Sequence, residues 1–195
     1  MIKPLTQKFI GWGLASVVAI SAGYVVAPFE GMSNQAYKHI VGVPTICFRE
    51  TKGVKMGDYK TTEQCESDLA KELVVYNRDM KKHVKVEILP YEEVAYTSFV
   101  WNLGETNFKN STLLKKLNSG DRTGACEQLL SWNKATVPPA GVPVYRARGE
   151  TCTVRKDGKY SCTVKGLTNR RKFEYEVCMG KNTEVNKALE AIKQP

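Results

Sequence analysis

The chain has 195 residues, a formal net charge of +9, 42% hydrophobic and 25% charged residues. That length holds roughly one domain, and the composition excludes a long disordered region. The positive excess asks for an anionic partner, but charge alone does not choose among nucleic acid, an acidic membrane surface and a wall polymer.

In chain order, Lys3, Lys8 and the amino terminus precede an uncharged run of 21 residues, Phe9 to Phe29. Its length suits a hydrocarbon core of about 30 Å, and the basic flank predicts N-in, C-out orientation. Nine of the 21 are Gly, Ala or Ser, so little apolar area is available to hold the run in lipid. Three readings stay open: a permanent anchor, a signal peptide cut near Ala19-Ile20-Ser21, and an anchor that inserts and later leaves the bilayer.

The first carboxylate of the chain, Glu30, follows this run directly, with His39 and Thr45 nine and fifteen residues later. From Gly42 to Asp58 the Gly/Val/Thr-rich pattern predicts a short antiparallel sheet, part of a small β lobe at about 40–60, with turns at Lys52-Gly53 and Gly57-Asp58. Thr61 and Gln64 stand in capping-box spacing. Leu69, Leu73, Tyr76 and Met80 then recur at helical intervals, which predicts a long helix. YEEVAYTSFVWNLG reads as a mostly buried helix ending at Gly104. Two shorter helices follow, capped by Ser111 and Asp121. VPPAGVPVYRARGETCTVRKDGKYSCTVKG breaks the helical pattern. A loop of Lys156-Asp157-Gly158, with Gly158 left-handed, places Cys152 opposite Cys162. A helix over LTNRRKFEYEVC and an exposed helical tail close the chain. A small sheet followed by several helices defines the α+β class.

Six cysteines and no CxxC pair favour three disulfides in an oxidising compartment and argue against a zinc site. No metal or organic cofactor is implied. No basic helix carries a nucleic-acid recognition motif.

One Glu, a small sheet and a Thr are a weak signal for glycoside hydrolysis with a positioned water. EGMSNQAYKHIVGVPTICFRETKGVKMGD sharpens it, because it resembles the start of the phage-type lysozymes, glycoside hydrolase family 24. SFVWNLG, NSTLLKKLNSGDRTGACEQLLSW and GLTNRRKFEYEVC are similar to later segments of that family, in order, so the resemblance covers about residues 29 to 178. With the weak apolar N-terminus, the chain resembles the signal-arrest-release endolysins of double-stranded DNA phages.

The resemblance implies a lysozyme-like fold: a small antiparallel sheet lobe, a mostly helical lobe and an N-terminal apolar anchor helix. It divides the chain into a signal-arrest-release or transmembrane segment, 1–28, and a catalytic domain, 29–195, in which a hairpin insertion at about 135–164 has no family counterpart. It implies Glu30 as general acid, Thr45 as holder of the attacking water and Arg170 as the basic partner of the acid. His39 falls where the family has Asp, Arg49 where it has Gly, and Glu50 where it has His. Neutral His39 can orient a water or accept its proton, but supplies no fixed negative charge. Helical placement in the family fold implies Cys126–Cys178, which with the hairpin pair leaves Cys47–Cys65. The expected activity is that of a monomeric muramidase acting on peptidoglycan, first held in the host inner membrane by residues 9–29 and then released to the periplasm. No cysteine precedes Cys47, so release cannot use a thiol in the anchor. The alternative is a lysozyme fold weakened at His39 and Arg49 that binds wall or regulates lysis.

Overall fold

The computed structural model describes residues 3–39 and 42–193. Ile40 and Val41, at the expected start of the β lobe, lie outside them, as do Met1 and Ile2 of the expected anchor.

The apolar N-terminal run is not one membrane-length helix. Helix α1 (Pro4–Gly11) ends at a turn in which Gly13 takes φ +81°. The chain then re-enters α2 (Ser16–Ile20), a π-helical stretch over Ser21–Val26 and α3 (Ala27–Glu30). Among the described residues no helix is long and apolar enough to cross a membrane. In this structure the apolar run forms a broken hairpin of helices packed inside the fold, rather than one anchor helix. The cause is local: a left-handed glycine stops the first helix, and small side chains let the two arms touch. At Gly23 an added Cβ would lie 2.1 Å from Thr6 Oγ1, so only hydrogen fits there.

Strand β1 (Ser33–Lys38) pairs antiparallel with β2 (Pro44–Cys47), with Tyr37 opposite Thr45 and a bulge toward Ser33. The sheet thus begins upstream of the segment whose composition announced it, and 51–58 supplies turns rather than a strand. Helix α4 (Thr62–His83) starts with the expected capping box, Gln64 N–H donating to Thr61 Oγ1 at 3.2 Å and Thr61 N–H to Gln64 Oε1 at 2.8 Å. Then come α5 (Pro90–Leu103), α6 (Glu105–Lys109), α7 (Thr112–Asn118) and α8 (Arg122–Leu129). Ser111 and Asp121 cap α7 and α8 through the N–H groups of Leu114 and Gly124.

The segment after α8 forms a three-stranded sheet of β3 (Lys134–Val137), β4 (Cys152–Val154) and β5 (Tyr160–Thr163), in the order β3-β5-β4, with α9 (Val142–Ala147) over its apolar face. Cys152 lies opposite Cys162 in the β4–β5 register, and Gly158 closes the loop at φ +75°. Helix α10 (Lys165–Cys178) returns to the helical lobe. Helix α11 (Thr183–Lys193), expected as an exposed tail, instead buries Val185, Ala188 and Leu189 against the core. Disulfides join Cys47 to Cys65, Cys126 to Cys178 and Cys152 to Cys162.

Two cores result. One, between the sheet lobe and α4, joins Phe9, Val18, Ala19, Ala22 and Val26 to Ile46, Phe48, Leu69 and Leu73. The other, around α5, takes Ile20, Tyr24 and Val25 from the same N-terminal helix together with Tyr96, Phe99, Phe108 and Leu129. Residues 15–30 are the splint between the lobes, and they deliver Glu30 to the junction. Gly23→Leu should drive a side chain into Thr6 and lower unfolding free energy by about 1–3 kcal/mol. Thermal or denaturant unfolding of the soluble protein checks this.

Candidate active site

Glu30 is the last residue of α3. Gly31, at φ +67°, ends the helix there and turns the chain into β1. The Glu30 side chain is 1% exposed, yet it lies on the wall of a cleft of 490 Å³ lined also by Arg49, Glu50, Glu72, Tyr76 and Trp101. Beneath it, Arg170 of α10 donates from Nη1 to Glu30 Oε1. The same guanidinium donates from Nε to Glu174 Oε1 and from Nη2 to Ser98 Oγ, both at 3.0 Å. Ser98 donates in turn to Glu174 Oε1 at 2.6 Å. Arg171 joins through its Nη2 to Glu174 and to Asn102 Oδ1. Burial pushes the Arg171 guanidinium down to about 10, with Glu174 opposing the fall, so it stays charged at neutrality. Two cations and two carboxylates thus neutralise one another where neither sign alone is tolerable.

The outer oxygen of Glu30 faces a second cation. Arg49 donates from Nη1 to Glu30 Oε2 at 2.9 Å, and its Nη2 stands 3.1 Å from His39 Nε2. Because a guanidinium only donates, His39 Nε2 is the acceptor and the ring proton is assigned to Nδ1. Burial, then the Arg49 charge, hold the His39 pKa below its usual value against the pull of Glu30. Arg49 sits at φ +67° and Cys47 at φ +54°, both left-handed conformations that favour glycine. The backbone bend after β2 is therefore one that glycine adopts freely, and here an arginine adopts it at a cost of about 1–2 kcal/mol.

Thr45 is 1% exposed, and its hydroxyl donates to the Val43 carbonyl at 3.0 Å. That bond uses its proton and leaves its lone pairs as acceptors for a water. Glu50 forms an ion pair with Lys60 at 2.6 Å, and Lys60 is shared with Asp68 at 2.8 Å. On the opposite wall Trp101 Nε1 donates to Glu72 Oε2 at 3.3 Å. Burial raises the Glu72 pKa, the Trp101 bond lowers it, and the nearby Glu50 and Asp68 carboxylates raise it further.

The structure therefore brings Glu30, Arg170 and His39 into one connected group, while Thr45 stands one strand away with its hydroxyl bonded to its own backbone. Sequence reasoning passed over Ser98, Glu174 and the bridging role of Arg49. The four-residue spacing of Arg170 and Glu174 on a helix was the available signal for Glu174. Nothing in the order of residues tied Ser98 to them across 72 positions.

Comparison with known proteins places this arrangement in a class. A family model described as phage lysozyme matches residues 27–174. The chain belongs to the phage lysozyme family. Among curated relatives it is 33% identical to the SAR-endolysin of Pseudomonas phage phiKMV, over 97% of this chain and 99% of that one. It is 34% identical to the SAR-endolysin of Enterobacteria phage P21, over 91% and 95%. Among solved structures it is similar to the endolysin from Escherichia coli O157:H7 phage FAHEc1, with a TM-score of 0.66, 30% identity and coverage of 81% and 90%. The active form of P1 phage endolysin Lyz shares the fold at a TM-score of 0.66 and 19% identity, over 92% and 94%.

Arg49→Gly should relieve the left-handed strain and remove a half-exposed ion pair that substrate must otherwise displace. Such a pair is worth about 0.5–1 kcal/mol, so turnover on purified peptidoglycan should rise about two- to fivefold. Steady-state turbidity kinetics read this directly. A fall would mean that Arg49 positions the acid.

Proposed function

We propose that this protein is a lysozyme-type endolysin that hydrolyses the β-1,4 linkage between N-acetylmuramic acid and N-acetylglucosamine in peptidoglycan. The observation that carries the reading is a buried carboxylate, Glu30, opening onto a cleft between the two lobes and held from behind by Arg170. Glu30 protonates the glycosidic oxygen as the bond breaks. For that it must take up a proton and let Arg49 swing away, which the half-exposed Arg49 side chain can do. Thr45 accepts a hydrogen bond from the attacking water, and neutral His39 accepts the proton that water loses. Arg170 acts by position, fixing the Glu30 carboxyl toward the cleft.

The route to the wall follows from the N-terminus. Residues 1–28 first insert in the inner membrane, N-in and C-out, and later withdraw, leaving a monomer in the periplasm whose catalytic domain is 29–195. Support comes from the small side chains of the run, which make insertion weak, from relatives that are called SAR-endolysins, and from the place the same residues have in both cores. While the segment spans the membrane, those cores lack it and Glu30 is at the lipid surface. Nucleic acid has no part in this account.

Three outcomes are expected. Glu30→Gln should lower the release of reducing-end muropeptides from purified peptidoglycan by about 100-fold or more while the protein stays folded. A folded variant with unchanged release would refute the assignment, and a parent with no release would favour the wall-binding alternative. The second outcome concerns pH. Because the His39 pKa lies below the usual ~6.5, its neutral form persists at pH 6.5, and activity should fall only as pH drops further through the lowered value. His39→Asp should abolish that acid-side loss and raise turnover, and His39→Ala should lower turnover at every pH. Finally, mass spectrometry of protein recovered from the periplasm should give the uncleaved mass, whereas a new terminus near Ala22 would mean a removed signal peptide.

A further inference from the structure

The unneutralised positive charge of the molecule collects on the hairpin insertion. Residues 134–165 hold seven lysines and arginines against two acids, a net +5 within the chain's +9. All seven cations are exposed. Among the described residues only Arg155 has a carboxylate within ion-pair distance, Asp157 at 3.3 Å. Elsewhere among the described residues, cations with and without partners are mixed: Lys60, Lys81, Lys116, Arg122 and Arg170 each meet an Asp or Glu, while Lys85, Lys109 and Lys115 do not. The insertion has its own small core of Val137, Val142, Cys162 and their neighbours, and a disulfide across its sheet. It is a stiff platform, and six of its seven cations have no ion-pair partner among the described residues.

Its two surfaces are distinct. Alternation along the strands turns Ala135, Val137, Cys152, Tyr160 and Cys162 toward α9. The opposite face carries Thr136, Ser161 and Thr153 in register across the three strands. Lys134 begins that face, and Arg155 reaches over it to donate to Thr136 Oγ1 at 3.1 Å. Exposed cations beside hydroxyls on one flat face suit phosphate oxygens. Val154, opposite Tyr160, and Val144 of α9 are the exposed apolar residues of the other side, that of α9.

We propose that this insertion docks the protein on an anionic phospholipid surface, the cations and hydroxyls of the face away from α9 meeting headgroup phosphates. A glycan would be gripped by open aromatic faces, whereas Tyr145 and Tyr160 are packed into the insertion's own core. An anionic bilayer surface needs no groove, only cations spread over one face.

The test uses the full chain in its soluble form and sedimentation with vesicles of equal phosphatidylglycerol and phosphatidylcholine. Binding should be strong at low salt, and lost at 0.5 M NaCl and on pure phosphatidylcholine. Each cation at such a surface strengthens attraction about fivefold, so the triple variant Arg155→Glu, Lys156→Glu, Lys159→Glu should bind at least about tenfold more weakly. Its melting temperature and its activity on purified peptidoglycan should be unchanged, and the activity reading separates failure of this proposal from failure of the muramidase reading. Lys85→Glu, Lys109→Glu, Lys115→Glu makes the same charge change on the helical lobe and should leave binding near the parent's. Equal binding to neutral vesicles would assign the interaction to the apolar N-terminal run and overturn the proposal. So would equal losses in the two triple variants, or a loss confined to purified peptidoglycan with vesicle binding intact.

Discussion

A carboxylate buried to 1% exposure is stable as an anion only if a cation is buried with it, and the contact between Glu30 and Arg170 meets that requirement. Much of the fold serves this pair. Glu30 arrives on the helix that splints the two cores, Arg170 on α10, and Glu174 and Ser98 accept from the Nε and Nη2 of Arg170. Loss of Glu30 or Arg170 leaves an uncompensated charge in the interior, a cost of roughly 3–5 kcal/mol. The acid is thus fixed by the same interactions that hold the lobes together, so its position cannot drift without unfolding the junction. Attachment of the N-terminal run to both cores extends this dependence: the acid is in place only when residues 15–30 are folded against the domain.

The outer side of the site is looser. Arg49 and His39 form a half-exposed chain with Glu30, built on a backbone bend that glycine would adopt freely. Strained, partly exposed contacts at a cleft mouth are where adjustment on substrate binding is least costly. The inner pair gives permanence and the outer pair gives a displaceable cover. On the proposed reading, this division lets a carboxylate with two cationic partners serve chemistry that needs it protonated and free on one side.

Much of this was legible in the residues. Capping at Thr61, Ser111 and Asp121 is local chemistry, and local chemistry is what sequence spacing reports. The hairpin register of Cys152 and Cys162 followed from one loop glycine, and the place of Glu30 after the apolar run from family motifs. Three things were not legible, all for the same reason. An uncharged run of 21 residues has the length of a membrane span, but whether it stays straight depends on a left-handed Gly13 and on Thr6 meeting Gly23, a tertiary contact. The sheet began at Ser33 because β1 is recruited by β2 and by the segment near Tyr59, not by its own composition. The closing helix was buried because its apolar stripe found α2 of the same N-terminal run. Arg49, visible as a departure from the family pattern, acquired its bridging role only from the bend that aims it at Glu30.

The central claim is that Glu30 and Arg170 stabilise one another inside the junction of the lobes. A double-mutant cycle on unfolding free energy tests it most directly, with Glu30→Gln, Arg170→Gln and the pair measured in the soluble protein. The account predicts that each single change is strongly destabilising and that the double change costs at least about 2 kcal/mol less than their sum. Additivity within about 0.5 kcal/mol would contradict it, because the two side chains would then be independent of each other in the folded protein.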